Sequence, residues 1–322
     1  MEIVGRSLEH QRLLAQLARV APTMTEVLIT GPTGVGKERY ARYLHEQSRQ
    51  HGGGFVAINC GALPPDLLEN ELFGHVAGAF TGAHLKSEGL IASAEAGTLF
   101  LDEVDSLALA SQVKLLRFIQ EREYRRLGEN RMRRADVRIV AATNADLLEA
   151  VRDGRFRADL FFRLRVVPIR VPPLRERPAD ILPLLDSFTH HYAAAYGLPP
   201  VEYSRGALRW LEDYAWPGNA RELENCVRYL TALQLGRPVE PPDIDLLDPE
   251  SSHPELAPRL RLDLAFQRAK RNLIDDFERR YITEALRRNG GNISRAARAS
   301  GKARRAFFEL MRKHGLHGSA MR

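Results

Sequence analysis

Residues 31–38 read GPTGVGKE, between the apolar run EVLIT and the helical pattern ERYARYL. In such a turn backbone N–H groups cradle phosphate oxygens, and the positive end of the following helix strengthens the attraction. Gly31, Pro32, Thr33, Gly34, Val35, Gly36 and Lys37 form this P-loop pattern, with the Lys37 ammonium reaching the outer phosphates. Glu38 stands where serine or threonine usually contacts magnesium. A second segment, TLFLDEV, ends an apolar run on Asp102 and Glu103. Adjacent carboxylates at the end of a buried strand need a cation or a proton to manage them. Asp102 suits Mg2+, held through water, and Glu103 suits general-base activation of an attacking water. Together the two segments imply ATP hydrolysis.

Three further groups suit the same chemistry. VRIVAATN ends on Thr143 and Asn144, a pair able to sense a γ-phosphate or position water. GRFRADLFFRLRVV offers Arg157 and Arg163, and an arginine placed on a transferring phosphoryl group contributes about 10³–10⁵ in rate. Arg221 in WPGNARELEN opens a helix in an all-helical region.

The elements that must position these residues follow from hydrophobic pattern. EVLIT, FVAIN, TLFLD, VRIVAAT and VVPIRV are short apolar runs interleaved with helical stretches, the signature of a parallel α/β sheet with both faces covered. The fold class is therefore α/β over residues 1–172, followed by a helical subdomain over 173–235. Six prolines between Gly236 and Pro258 forbid continuous helix and mark residues 236–260 as a linker. Residues 261–322 form a separate all-α domain, helical over 262–314 and broken at NGGN and SG.

Charge divides along the same boundary. From residue 259 onward there are 17 Lys/Arg against 6 Asp/Glu, leaving 30 against 35 in the body. A basic tail on a mildly acidic body points to a polyanion partner for the tail alone. Within it, GGNISRAARASGKARRAFFELMRKHGL reads as helix, tight turn, helix, with small Ala297 at the crossing and Gly301 at the turn. This pattern sets Phe307, Phe308 and Met311 inward and leaves Lys302, Arg304, Arg305 and Arg312 for DNA. The two cysteines, Cys60 and Cys226, fit no metal or redox spacing and suggest a reducing compartment. Neither a signal peptide nor a run of 18 apolar residues is present, so the expected location is the cytoplasm, away from membrane.

Residues 74–83, GHVAGAFTGA, fit neither helical nor strand period and read as a loop carrying Phe80 and Thr81. With this loop the chain resembles the ATPase domain of bacterial enhancer-binding proteins, the AAA+ activators of sigma-54 RNA polymerase, from Ile3 to Leu235. The basic tail resembles the Fis-type helix-turn-helix that ends that family. The resemblance implies that Gly78, Ala79, Phe80, Thr81, Gly82 and Ala83 contact sigma-54 holoenzyme and couple nucleotide state to promoter opening. It makes Asp102 and Glu103 the Walker B pair, with Asn59 pairing Glu103 and relaying the γ-phosphate state. Thr143 and Asn144 match the first sensor, and Arg221 the second. Arg157 and Arg163 match fingers inserted into a neighbour's site, which implies a hexameric ring. Tyr124 to Asp136 match a second surface loop, and Glu38 is itself the usual family residue.

The resemblance also implies enhancer DNA as the tail's partner, bound by paired tails. Val35, Val76-Ala77 and Ala158 depart from the family pattern. The ATPase segment begins almost at Met1, so control is expected from a separate regulatory protein, from expression level, or from a region that this chain does not include. Two rival readings fit less well. A general AAA+ unfoldase or helicase loader needs an aromatic pore motif where this chain has GAFTGA. A DNA-binding repressor with a vestigial ATPase is at odds with intact Lys37, Asp102, Glu103, Arg157 and Arg163.

Overall fold

The computed structural model describes residues 3–79 and 85–245, with residues 275, 278, 281–283, 285, 286, 289 and 292–314 of the C-terminal region. Two compact units divide the chain, Met1–Leu247 and Asp248–Arg322.

All five apolar runs become strands of one parallel sheet. These are β1 Val27–Thr30, β2 Phe55–Asn59, β3 Thr98–Asp102, β6 Arg138–Thr143 and β7 Val167–Arg170, in the spatial order β2-β3-β6-β1-β7. Alternation explains why the runs are continuously apolar. Leu28, Leu99, Leu101, Ile139 and Ala141 enter the core on one face, while Val27, Ile29, Phe100, Val140 and Ala142 enter the core on the other. The parallel arrangement brings the C-terminal ends of the central strands together. Register pairs Thr30 with Thr143, and Asn59 with Asp102.

Helix α1 (Leu8–Val20) starts on a Ser7 side-chain cap. Its C-terminal carbonyls at Ala21 and Val20 accept from Arg138, a fully buried guanidinium on β6, at 2.8 and 3.3 Å. Burial pushes that guanidinium down to about 10. Helix α2 (Lys37–Glu46) follows the glycine-rich turn, where Gly34 and Gly36 have φ of 79° and 93°. Helices α3 (Pro65–Phe73) and α4 (Leu90–Ser93) bracket the GHVAGAFTGA segment. A short antiparallel ribbon, β4 (Glu123–Tyr124) with β5 (Arg133–Arg134), was not signalled by the sequence; two-residue strands carry no measurable period. It follows α5 (Leu109–Glu121), and α6 (Leu147–Arg152) and α7 (Ala158–Leu164) lie between β6 and β7.

The helical subdomain holds α8 (Ile181–Tyr196), α9 (Arg205–Asp213), α10 (Asn219–Leu233) and α11 (Pro241–Asp245). The proline-rich stretch begins differently from the expected linker. Val239 pairs across a bridge with Tyr203, and Val239 and Ile244 are buried in the core of this subdomain. Prolines at 238, 241 and 242 tolerate this because they sit at a helix start and beside a single bridge, where few backbone donors are needed.

In the C-terminal unit α12 (Ile293–Ala299) and α13 (Arg304–Lys313) are joined through Gly301, whose φ is 63°. Ala296 and Ala297 are buried where the helices meet Phe307 and Met311. Phe308 corrects the sequence reading: it is 55% exposed. Residues 307 and 311 share one helix face at i, i+4, whereas residue 308 is rotated by about 100° from 307 and leaves that face. No helix among the described residues is long and apolar enough to cross a membrane.

Candidate functional site

A cleft of about 580 Å3 opens where the glycine-rich turn meets the helical subdomain. Of the expected nucleotide residues, Thr33, Gly34, Val35, Gly36, Lys37, Glu38, Asp102, Glu103, Asn144 and Arg221 line it. The Lys37 ammonium donates to the carbonyls of Gly31 and Pro32 at 2.9 and 3.2 Å, which holds it over the turn. Burial lowers the Lys37 pKa and raises that of Asp102; each group's charge partly offsets the other's shift. Asp102 also accepts the Glu103 N–H at 3.0 Å. That bond uses one carboxylate oxygen, Oδ1, and leaves Oδ2 for a hard cation or its water. The donor set facing the cleft is oxygen-rich and anionic, which fits Mg2+.

Glu103 adopts a left-handed backbone (φ 51°) and its carboxylate lies against Gly61. A Cβ at Gly61 would stand 2.5 Å from Glu103 Oε2, so glycine makes the room. Asn59 flanks the same glycine and accepts its N–H at 2.8 Å; among the described residues no hydrogen bond joins Asn59 to Glu103. The two expected sensor residues separate. Asn144 faces the cleft and donates to Thr33 Oγ1 at 2.8 Å. Thr143 is fully buried, donates to Asp105 and accepts the Ala145 N–H. Thr143 is thus held inside the protein, while its chain neighbour Asn144 lines the cleft. Glu38 pairs with Arg42 on the next turn of α2 at 2.7 Å.

The helical subdomain grips three consecutive carbonyls of the glycine-rich turn. Asn219 Nδ2 donates to Thr33 O at 2.9 Å, Arg221 N to Gly34 O at 3.2 Å, and Arg177 Nη2 to Val35 O at 2.9 Å. Asn219 and Arg177 were not singled out from sequence, and neither belongs to a spaced motif. Asn219's position directly after WPG, with φ of 56°, is the one local signal. Ile3, Val4, Leu184 and Phe188 give the cleft an apolar end. Arg157 and Arg163 lie outside the cleft lining. Arg157 makes a two-point pair with Asp159 at 3.0 and 2.7 Å, and exposed Arg163 hydrogen-bonds, among the described residues, only the Ile119 carbonyl, at 3.4 Å.

The stem of the GHVAGAFTGA loop is tied to the neighbouring surface loop. His75 bridges Ser87 and Leu127, and the Val76 N–H donates to Leu127 O at 3.1 Å. Gly78 has φ of 82°, and Ala79 packs against Gly128. Phe80, Thr81, Gly82 and Ala83 lie outside the described residues. In the C-terminal unit Lys302, Arg304, Arg305 and Arg312 are all exposed, and Phe308 stands among them.

Three known families tile this arrangement. The sigma-54 interaction domain matches residues 3–170, the AAA+ ATPase lid domain residues 175–255, and the Fis family of bacterial regulatory proteins residues 273–313. The chain belongs to the sigma-54-dependent activator family. The chain is 43% identical over 314 residues to the C4-dicarboxylate transport transcriptional regulatory protein DctD of Pseudomonas aeruginosa, matching 98% of this chain and 64% of that one. It is 51% identical over 219 residues to the Sigma54-dependent transcriptional activator SfnR of Pseudomonas putida, covering 68% and 60% of the two chains. The solved structure of NtrX from Brucella abortus in complex with ATP superposes with a TM-score of 0.71 at 34% identity, over 98% of this chain and 69% of that one. The chain thus spans a little under two thirds of the length of DctD.

Proposed function

We propose that this chain hydrolyses ATP in a ring of its own copies, and uses the cycle to remodel sigma-54 RNA polymerase at promoters while its tail holds enhancer DNA. The observation that carries the reading is the single cleft that unites Lys37, Asp102, Glu103, Asn144 and Arg221. The glycine-rich turn and Lys37 bind the triphosphate, Asp102 holds Mg2+ through water, and Glu103 takes the proton of the attacking water. Magnesium bound there supplies charge neutralisation on the β- and γ-phosphates. Because the helical subdomain grips Thr33, Gly34 and Val35, a change in phosphate occupancy acts directly on its position.

The GAFTGA loop is the proposed sigma-54 contact, and its stem carries no phosphate-binding group. Thr81→Ala is therefore expected to keep ATP turnover within about twofold while open-complex formation in a reconstituted sigma-54 transcription assay falls at least about tenfold. Full open-complex formation by this variant refutes the coupling role of the loop.

The tail's basic face is the proposed DNA reader. Changing both Arg304 and Arg305 to alanine should reduce the slope of log affinity against log salt by about 1.8, since each phosphate neutralised contributes about 0.9. Phe308→Ala should leave that slope alone and remove the preference for thymine over deoxyuridine at one position per half-site, because a Phe can contact the thymine methyl. Binding titrations on a site selected by the full chain from random DNA measure both, and an unchanged slope in the double variant excludes this face as the phosphate contact.

A further inference from the structure

Between the glycine-rich turn and the start of the helical subdomain lies a buried polar network that the hydrolytic chemistry does not use. Arg177 is 3% exposed and spends its guanidinium on two partners at once: Nη2 donates to the Val35 carbonyl and Nη1 to the Tyr40 hydroxyl, both at 2.9 Å. A guanidinium can only donate, so Tyr40 accepts from it, and the same hydroxyl lies 2.9 Å from His10 Nδ1, within hydrogen-bond distance. Burial lowers the pKa of His10. Gly5 makes the ring's place, since a Cβ there would lie 2.6 Å from the His10 ring.

Asp180, one helical turn after Arg177, is fully buried and 3.8 Å from the guanidinium. Its Oδ1 accepts the N–H groups of Arg6 and Ser7, both at 2.6 Å, and its Oδ2 accepts the Ser7 hydroxyl at 2.8 Å. Three donors from the N-terminal segment thus converge on one carboxylate of the helical subdomain. Two residues upstream of Arg6, Val4 together with Ile3 walls the apolar end of the cleft.

Resting on the ATP reading above, we infer that Arg177 and Asp180 are positioning residues that join the two ends of the nucleotide site. Arg177 fixes the phosphate cradle at Val35, and Asp180 fixes the segment that walls the base end. Both sit within four residues of one another on the subdomain's entry, so cradle and wall take their places together. A triphosphate without a base uses only the first half of this arrangement; ATP uses both.

The test compares ATP with inorganic tripolyphosphate as ligands of the full chain, by calorimetric titration. Asp180→Ala removes the anchor of the N-terminal segment and should weaken ATP roughly 10- to 100-fold, the effect of losing buried hydrogen bonds to a charged group. Tripolyphosphate binding should stay within about twofold. Arg177→Lys keeps the charge but cannot span Val35 and Tyr40 together, so it should weaken both ligands. Ser7→Ala, which deletes one of Asp180's three donors, should reproduce the ATP-selective loss at smaller size and serves if Asp180→Ala does not fold. Equal losses for ATP and tripolyphosphate in the Asp180 or Ser7 variant, or no loss in either, overturn the inference. Failure of the unaltered chain to bind ATP overturns instead the nucleotide reading on which it stands.

Discussion

Arg163→Ala is expected to lower ATP turnover by about 10³–10⁵-fold while leaving nucleotide binding in place. Lys37 and Arg221 are among the cations that line the cleft, and neither Arg157 nor Arg163 lines it. Both arginines belong to the α7 end of the core: Arg157 precedes the helix and Arg163 is in its last turn. Their own chain offers them little. The Arg157–Asp159 pair is roughly half exposed, and solvent screens such pairs, so it yields readily to a stronger anion. Arg163 makes one long contact to a carbonyl. Close to it in sequence, Phe162 is 70% and Val166 49% exposed, two apolar side chains open to solvent. These features suit a cation delivered to the neighbouring subunit's triphosphate. The decisive measurement mixes Arg163→Ala with Lys37→Ala. An Arg163→Ala subunit keeps a working cradle, and its Lys37→Ala neighbour still supplies an arginine, so mixed assemblies should recover hydrolysis that neither variant has alone. Mixed assemblies that form and stay inactive exclude action across subunits.

The sheet was legible in the sequence because each strand is buried on two faces and therefore apolar without interruption. Val27 to Ile29 and Leu99 to Leu101 alternate between the two cores, so every position selects for an apolar side chain. Lys37, Asp102 and Glu103 were legible because phosphate and water chemistry demand fixed types at fixed spacing. Arg177, Tyr40, Asp180 and Asn219 obey no such rule. Their partners lie 137, 173 or 186 residues away, and one polar residue in a helical stretch looks like any solvated one. The sensor pair was half legible: strand register delivers both Thr143 and Asn144 to the sheet's end, but alternation turns Thr143 into the protein and Asn144 toward the cleft. Phe308 failed for a related reason, since a run of two phenylalanines cannot show which one the helix buries.

Lys37→Ala and Glu103→Gln are expected to lower turnover strongly by different routes, and the contrast tests the roles proposed for the cleft. Lys37 is the ammonium held on the glycine-rich turn at Gly31 and Pro32, with Asp102 and Glu103 raising its pKa against burial. Its ammonium is placed to offset phosphate charge beside the backbone dipoles of the turn. Its loss should cost about 10²–10³ in rate, as for removal of one preorganised charge-stabilising donor, and ATP affinity should fall with it. Among the described residues no hydrogen bond or ion pair joins the Glu103 carboxylate to the cradle, and it rests against Gly61. Glu103→Gln removes the proton acceptor while preserving shape, so hydrolysis should fall by about 10²–10⁴ at unchanged or tighter ATP binding. The amide also relieves repulsion between two anions, because Asp102 feels the Glu103 charge as one that raises its own pKa. Equilibrium ATP binding and single-turnover hydrolysis, measured on both variants, separate the cases. Weak ATP binding by Glu103→Gln would move that residue from water activation to phosphate binding, and normal turnover by Lys37→Ala would remove the glycine-rich turn from the catalytic site.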